Sequence, residues 1–292
     1  MNDNLLPLSG KSDAQKIRTG ILAVFLNAVL IVFSFSCIFP LIWMFYSSLK
    51  SVTEFNKDII GLPTEISIQN YINLLTNSDY RILPSIINSI RTTVISVFFI
   101  VMLGFIVGYI LSRIPFRGSR LLYVLFLMGM LIPIHSLLVP IYVIFKRTGI
   151  SDHWFTLLFP YVAFGLPLAI FLIDGYLKGI PTALEEAAAI DGSSFTRTLF
   201  QIIFPVCRPI LTTVGIIATF QCWNEFSFAL VLLKNPKLQT VSLALTQFSG
   251  QFSTDYPRIM AGMLLTMLPI LVFYFIFSKQ IIKGMVAGAV KG

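Results

Sequence analysis

The sequence predicts an all-α transmembrane protein, on three observations. It is 56% hydrophobic and only 12% charged, where a soluble domain carries about 25% charged residues. Its mean hydropathy is +0.85. Its apolar residues also gather into stretches near the ~20 residues that a helix needs to cross the hydrocarbon core. These are residues 21–46, 92–112, 121–145, 154–177, 209–233 and 259–278. Helices satisfy their own backbone groups in lipid, which is why such stretches read as spans.

The first stretch follows a polar N-terminus. It is longer than the about 7–15 apolar residues of a cleaved signal peptide, so it is read as a retained helix. The second has an amphipathic lead-in from Pro84. Pro133 and Pro140 fall in the third, Pro160 and Pro167 in the fourth, and Pro269 in the sixth. Each removes a backbone donor, which is compatible with simple bending or with a cavity wall. The fifth stretch carries Gln221, Asn224 and Glu225 well inside it. An ionised group at that depth costs about 2.5–3.5 kcal/mol on insertion scales, so Glu225 should face protein or water rather than lipid. A cavity lining and a structural hydrogen bond between helices both satisfy this. His135 and Ser136 follow Pro133, and a lone histidine is either a packed residue or a ligand. Trp43, Tyr46 and Trp154 fit interfacial belts, and Asn88 and Arg91 read as interfacial residues at the outer end of the second span.

Six spans place both termini on one side. Basic residues in short loops mark the cytoplasmic side, and the 113–120 turn carries Arg113, Arg117 and Arg120 with no acid. The opposite segments are diluted by Glu54, Asp58, Glu65, Asp79, Asp152 and Asp255. The N- and C-termini are therefore expected in the cytoplasm of a multi-pass protein. Residues 1–292 read as one transmembrane domain. Segments 47–83 and 234–258 then lie outside, where their length suits small caps or docking surfaces. Segment 179–206 lies inside. The net charge of +8 follows from this loop bias rather than from nucleic-acid binding, since there is no Arg-rich arm. Cys37, Cys207 and Cys222 are spaced as neither a disulfide framework nor a zinc site. Gly10-Lys11-Ser12 lacks the first glycine of a P-loop, Leu5 standing there. No HExxH or GxSxG signature is present either, so an enzymatic role is not expected.

The stretch 179–206 is the most specific. It reads GIPTALEEAAAIDGSSFTRTLFQIIFPV. Thr182 and Glu185 have the spacing of a capping box after Pro181. Ala187, Ala188 and Ala189 are strong helix formers, and Gly192 stands where a left-handed cap would end the helix. A short helix over 183–191 is predicted. It is too short to be stable alone in water, and its slim alanine face suits a groove on a partner. It also suits a plain connector. With Glu185 in the cap, Glu186 is the freer acid.

Glu186-Ala187-Ala188, Gly192 and Ile202-Ile203-Phe204-Pro205 resemble, at matched spacing, the EAA loop of ABC importer permeases. Phe204 replaces the usual leucine. Trp223-Asn224-Glu225-Phe226 is similar to the WNEF segment of the maltose-permease G type, as is the Gly-rich tail from Gly284 to Lys291-Gly292. The resemblance implies a six-helix type I ABC importer (MetI-like) permease fold in a bacterial plasma membrane. It implies a permease subunit of an ATP-driven, binding-protein-dependent importer for a disaccharide or oligosaccharide, forming half of the translocation path. A same-fold permease for a non-sugar solute and a membrane-embedded enzyme are the alternatives. The implied partners are a second homologous permease, two ATPase subunits, an extracytoplasmic sugar-binding protein and membrane lipid. ATP and Mg belong to the ATPase, and this chain is expected to bind no cofactor or metal. Glu185, Glu186, Ala187, Ala188, Ala189, Asp191 and Gly192 would couple to the ATPase. Gln221, Asn224, Glu225 and His135 are the substrate-path candidates.

Overall fold

The computed structural model describes residues 13–76, 81–248 and 255–289. Gly10-Lys11-Ser12, Asp79 and the closing Lys291-Gly292 lie outside the described residues. Helices follow in the order α1 (Asp13–Ser47), α2 (Val52–Lys57), α3 (Gln69–Thr76), α4 (Ile82–Arg113), α5 (Ser119–Gly129), α6 (Ile134–Thr148), α7 (Leu158–Leu177) and α8 (Ala183–Ile190). Then come α9 (Phe195–Arg197), a π-helical turn (Thr198–Ile203), α10 (Phe204–Val206), α11 (Arg208–Asn224), α12 (Ser227–Leu232), α13 (Val241–Ala244) and α14 (Tyr256–Ala289). No strand occurs among the described residues.

α1, α4, α7 and α14 each contain a continuous apolar run long enough to cross a membrane. The third and fifth stretches do not form the single helices expected of them. The third is broken between α5 and α6, whose axes differ by 100°. Pro133 disfavours helical geometry at Ile132 and opens α6 from an extended backbone, so the chain turns there rather than merely bending. The fifth ends at Asn224, where Glu225 takes an extended conformation and the short α12 follows. Before it, the run 195–206 meets α11 at 76°, across Cys207 and between Pro205 and Pro209. Pro140, Pro167 and Pro269 instead sit inside continuous helices.

The core is built where α4 and α7 run side by side in the same direction. Gly104 faces Ala169, and a Cβ on Gly104 would come within 2.8 Å of the Ala169 Cβ. Gly108 faces Ile173 one turn on, and Ile100 fills the space over Gly165. Small residues four apart on both helices let the backbones approach closely, which substitutes packing for the weak hydrophobic drive within lipid. Ile100, Phe105, Ile170, Ile173 and Leu177 are buried there, and α11 closes the third side.

At one end of this bundle lie the last turn of α1, the hairpin 48–76 and the segments 149–157 and 225–248. Asp152 accepts from the backbone N–H groups of Lys234 and Asn235. Asn88 donates to the carbonyls of Lys237 and Gln239. Asn88, read as interfacial, thus staples the segment 237–239 to α4, and Asp152 ties residues 234–235 to the chain before α7. At the other end lie the last turns of α4 and α7, and the segment 178–206 with α8.

Candidate functional site

α8 begins after Pro181 and ends as its sequence dictates. Gly192 adopts φ +73°, a conformation that a Cβ would strain. Ser193 N–H donates to the Ala188 carbonyl and Gly192 N–H to that of Ala189, the paired closure of a Schellman motif. The N-terminal expectation fails. Thr182 is already helical and its side chain caps nothing. A serine or threonine needs an extended backbone to reach the free N–H groups, and the bend after Pro181 does not supply one.

Glu185 is nevertheless engaged, by Arg113. Its Oε1 lies 3.2 Å from Arg113 Nε, close enough for charge attraction, although the N–H is not aimed at the oxygen. Arg113 Nη2 donates to the carbonyls of Leu177 at 2.8 Å and Ile180 at 2.6 Å. One guanidinium, largely buried, therefore joins the last turn of α4, the last turn of α7 and α8. Its fork geometry allows this, because Arg presents donors on separate nitrogens. In the sequence Arg113 was visible only as a topological charge. Its contacts lie more than 60 positions away, beyond any local pattern.

The two sides of α8 differ. Ala188 is buried and Glu185 half-buried, both turned toward the bundle and the π-helical turn. Ala183, Glu186, Ala187 and Ile190, at helical spacing, point outward, and Ile190 is 86% exposed. Asp191 and Ala189 are exposed as well. Behind α8 the chain is pinned to α4 by rings. Phe195 lies 5.9 Å from Tyr109, and Phe204 meets Phe105 edge-on at 5.2 Å. The phenylalanine that departs from the resembled motif thus completes an aromatic cluster with Phe200.

The remaining candidates lie elsewhere. Glu225 does not lie mid-span. It follows α11, and its carboxylate accepts from the N–H groups of Phe228 and Ala229 and from the buried Tyr161 hydroxyl. It caps α12 and ties it to α7, so its oxygens are committed to structure. Asn224 is exposed beside it. Gln221 stands at the rim of a narrow apolar crevice lined by Ile100, Gly165, Ala169, Val214 and Ala218. His135 is exposed in the first turn of α6, just after the break. Tyr161 and Leu177 are separated by about 24 Å of helix at 1.5 Å per residue, so the Glu225 and Arg113 clusters belong to opposite ends of the bundle. Among the described residues no three His, Cys, Asp or Glu side chains gather as a metal-ligating group.

Residues 100–285 match the family described as binding-protein-dependent transport system inner membrane component. A putative ABC transporter permease protein, ORF2, from a Caldicellulosiruptor species is 39% identical over 254 residues, 87% of this chain and 91% of the relative. The trehalose transport system permease protein SugB of Mycobacterium tuberculosis is 34% identical over 255 residues, again 87% of this chain and 92% of the relative. In three dimensions the chain resembles a chain from the crystal structure of a bacterial ABC transporter involved in the import of the acidic polysaccharide alginate. The TM-score is 0.79 at 21% identity, covering 94% of this chain and 99% of that one. That likeness speaks for the fold.

Proposed function

The chain belongs to the family of binding-protein-dependent transport system inner membrane components, and from that premise we propose that it is one of two permease subunits of an ATP-driven sugar importer. It is a multi-pass protein of the inner membrane and a transporter subunit rather than an enzyme. Hydrolysis of ATP falls to two separate ATPase subunits, where ATP and Mg bind. A second, homologous permease completes the path. The observation that carries the reading is the asymmetry of α8. One side is held to α4 and α7 by the Glu185–Arg113 pair and buries Ala188, and the other is left open as the stripe Ala183, Glu186, Ala187 and Ile190. A slim helix held in this way suits insertion into a groove of the ATPase, with Glu186 offered to a basic side chain.

The orientation follows the charges. Arg113, Arg117, Lys178, Arg197 and Arg208 gather at the α8 end, which is the cytoplasmic end by the positive-inside rule. The hairpin 48–76 and the segment 234–258 then face outward, where a loaded binding protein docks. ATP binding closes the ATPase pair and moves α8, and Arg113 passes that motion to α4 and α7. The binding protein and ATP must together favour one state of the pore by several kcal/mol, since equal affinity for both shifts nothing. A disaccharide or oligosaccharide is the proposed cargo, in line with the named transport system of the trehalose relative. Proteoliposomes carrying all subunits should accumulate a labelled disaccharide such as trehalose, dependent on both ATP and the binding protein. Uptake of a labelled amino acid instead of any sugar in the panel would overturn the cargo class.

A further inference from the structure

The hairpin 48–76 is built more firmly than a loop needs to be. Lys50, fully buried, donates to the Asp58 carbonyl. The Asp58 carboxylate accepts from the N–H groups of Ile60 and Gly61. Glu54 accepts from the N–H and the hydroxyl of Thr64, and the Asn70 amide donates to the carbonyls of Ser48 and Lys50. What this frame presents is apolar. Ile60 is 69% exposed and Leu62 75%, with Ile59 beside them. No charged residue occurs from 59 to 64; the Asp58 carboxylate before them is spent on backbone N–H groups, and Lys57 and Glu65 stand exposed at the edges of the apolar tip. An apolar tip held rigidly in the open asks for a partner.

The height of the tip identifies that partner. Trp43 Nε1 donates to the Ile59 carbonyl at 2.9 Å, and the Tyr46 hydroxyl donates to that of Ile60. Both rings sit in the last turn of the span Leu22–Ser47. Trp and Tyr at the end of a span sit at the headgroup level, apolar body inward and polar tip toward water. The tip is hydrogen-bonded to those rings and therefore lies in the same layer. From Leu22 to Ile42 α1 is exposed, and its last turn is partly covered by the hairpin, so the apolar tip continues the apolar surface of the span. We propose that residues 59–62 are an interfacial anchor, with Ile60 and Leu62 inserted among the lipid headgroups and upper acyl chains at the hairpin end. The hairpin then rests on the bilayer and fixes the height of its polar surface above it. This requires only that α1 spans the membrane, so its failure would leave the transport reading untouched.

The test uses the complete transporter in lipid nanodiscs. Leu62→Cys in a Cys37→Ser background is labelled with an environment-sensitive nitrobenzoxadiazole probe, since Cys207 and Cys222 are buried. The expected result is blue-shifted emission, quenched at least 2-fold by lipids spin-labelled near the headgroup and little affected by aqueous iodide. Emission typical of water with strong iodide quenching overturns the proposal. So does a probe shielded from both quenchers, which would mean that the second permease or the binding protein covers the tip.

Discussion

Arg113 does three things with one side chain. It accepts the charge of Glu185, and it holds the carbonyls of Leu177 and Ile180. Hydrogen bonds from a charged donor are worth about 1.5–3 kcal/mol, enough to decide whether α8 moves with α4 and α7 or independently. Arg113→Gln should leave the ATPase bound and hydrolysing while sugar uptake per ATP falls about 10-fold, as about 1.4 kcal/mol of lost coupling implies. Arg113→Lys keeps the charge but not the fork and should recover only part. Parallel assays of ATP hydrolysis and uptake in the same vesicles check this. Equal loss of both in Arg113→Gln would mean that the contact serves assembly only. Glu225 shows the opposite lesson. Its carboxylate is held by Phe228, Ala229 and Tyr161, so its polarity inside an apolar run marks the point where one helix ends and the next begins.

Among the elements, those specified by local chemistry were legible and those specified by distant contacts were not. α8 stands where Pro181, the alanines and Gly192 put it, because helix formers and a left-handed cap act within a few residues. The four continuous spans follow from apolar length alone. The breaks at residues 130–133 and 224–226 were missed for one physical reason. A hydropathy average counts apolar content and is blind to backbone direction, which Pro133 and the Glu225 cap control. The expected capping box failed because side-chain spacing does not ensure the extended backbone that a cap requires. The hairpin 48–76 carries a separate prediction. The Thr64 N–H and hydroxyl hold the Glu54 carboxyl below its ordinary value of 4.5, and the N–H groups of Gly61 and Ile60 hold Asp58 below 3.8. Both contribute stability that is complete above those ordinary values and is lost as the pH falls through the lowered ones. The protection factors of the Ile60, Gly61 and Thr64 amides should therefore be high at about pH 5 to 7 and should fall selectively as the pH drops below the ordinary carboxyl values and through the lowered ones. Protection that persists unchanged in Glu54→Gln and Asp58→Asn at about pH 6 would show that the carboxylates do not hold the turn.

At the scale of the molecule the protein is a packed pair, α4 and α7, with α8 latched to one end and the segments 149–157 and 225–248 gathered at the other. Close packing of Gly104 on Ala169 and Gly108 on Ile173 makes that pair stiff, and stiff elements carry displacement where soft ones absorb it. Arg113 at one end and Asn88 near the other are both side chains of α4, so a shift of α8 reaches the outer segments through a single helix. Coupling of ATP hydrolysis to transport requires that the outward stripe of α8 engage the ATPase. The direct measurement is co-purification of the ATPase with the permease from membranes carrying all subunits, for wild type, Glu186→Lys and Ile190→Asp, with membrane insertion checked in parallel. Both side chains are exposed and removed from the latch, so both variants should insert at wild-type level. The account predicts that each loses at least 10-fold in ATPase retention and loses uptake with it. Variants that insert, retain the ATPase and transport as wild type would reduce α8 to a connector and contradict the account.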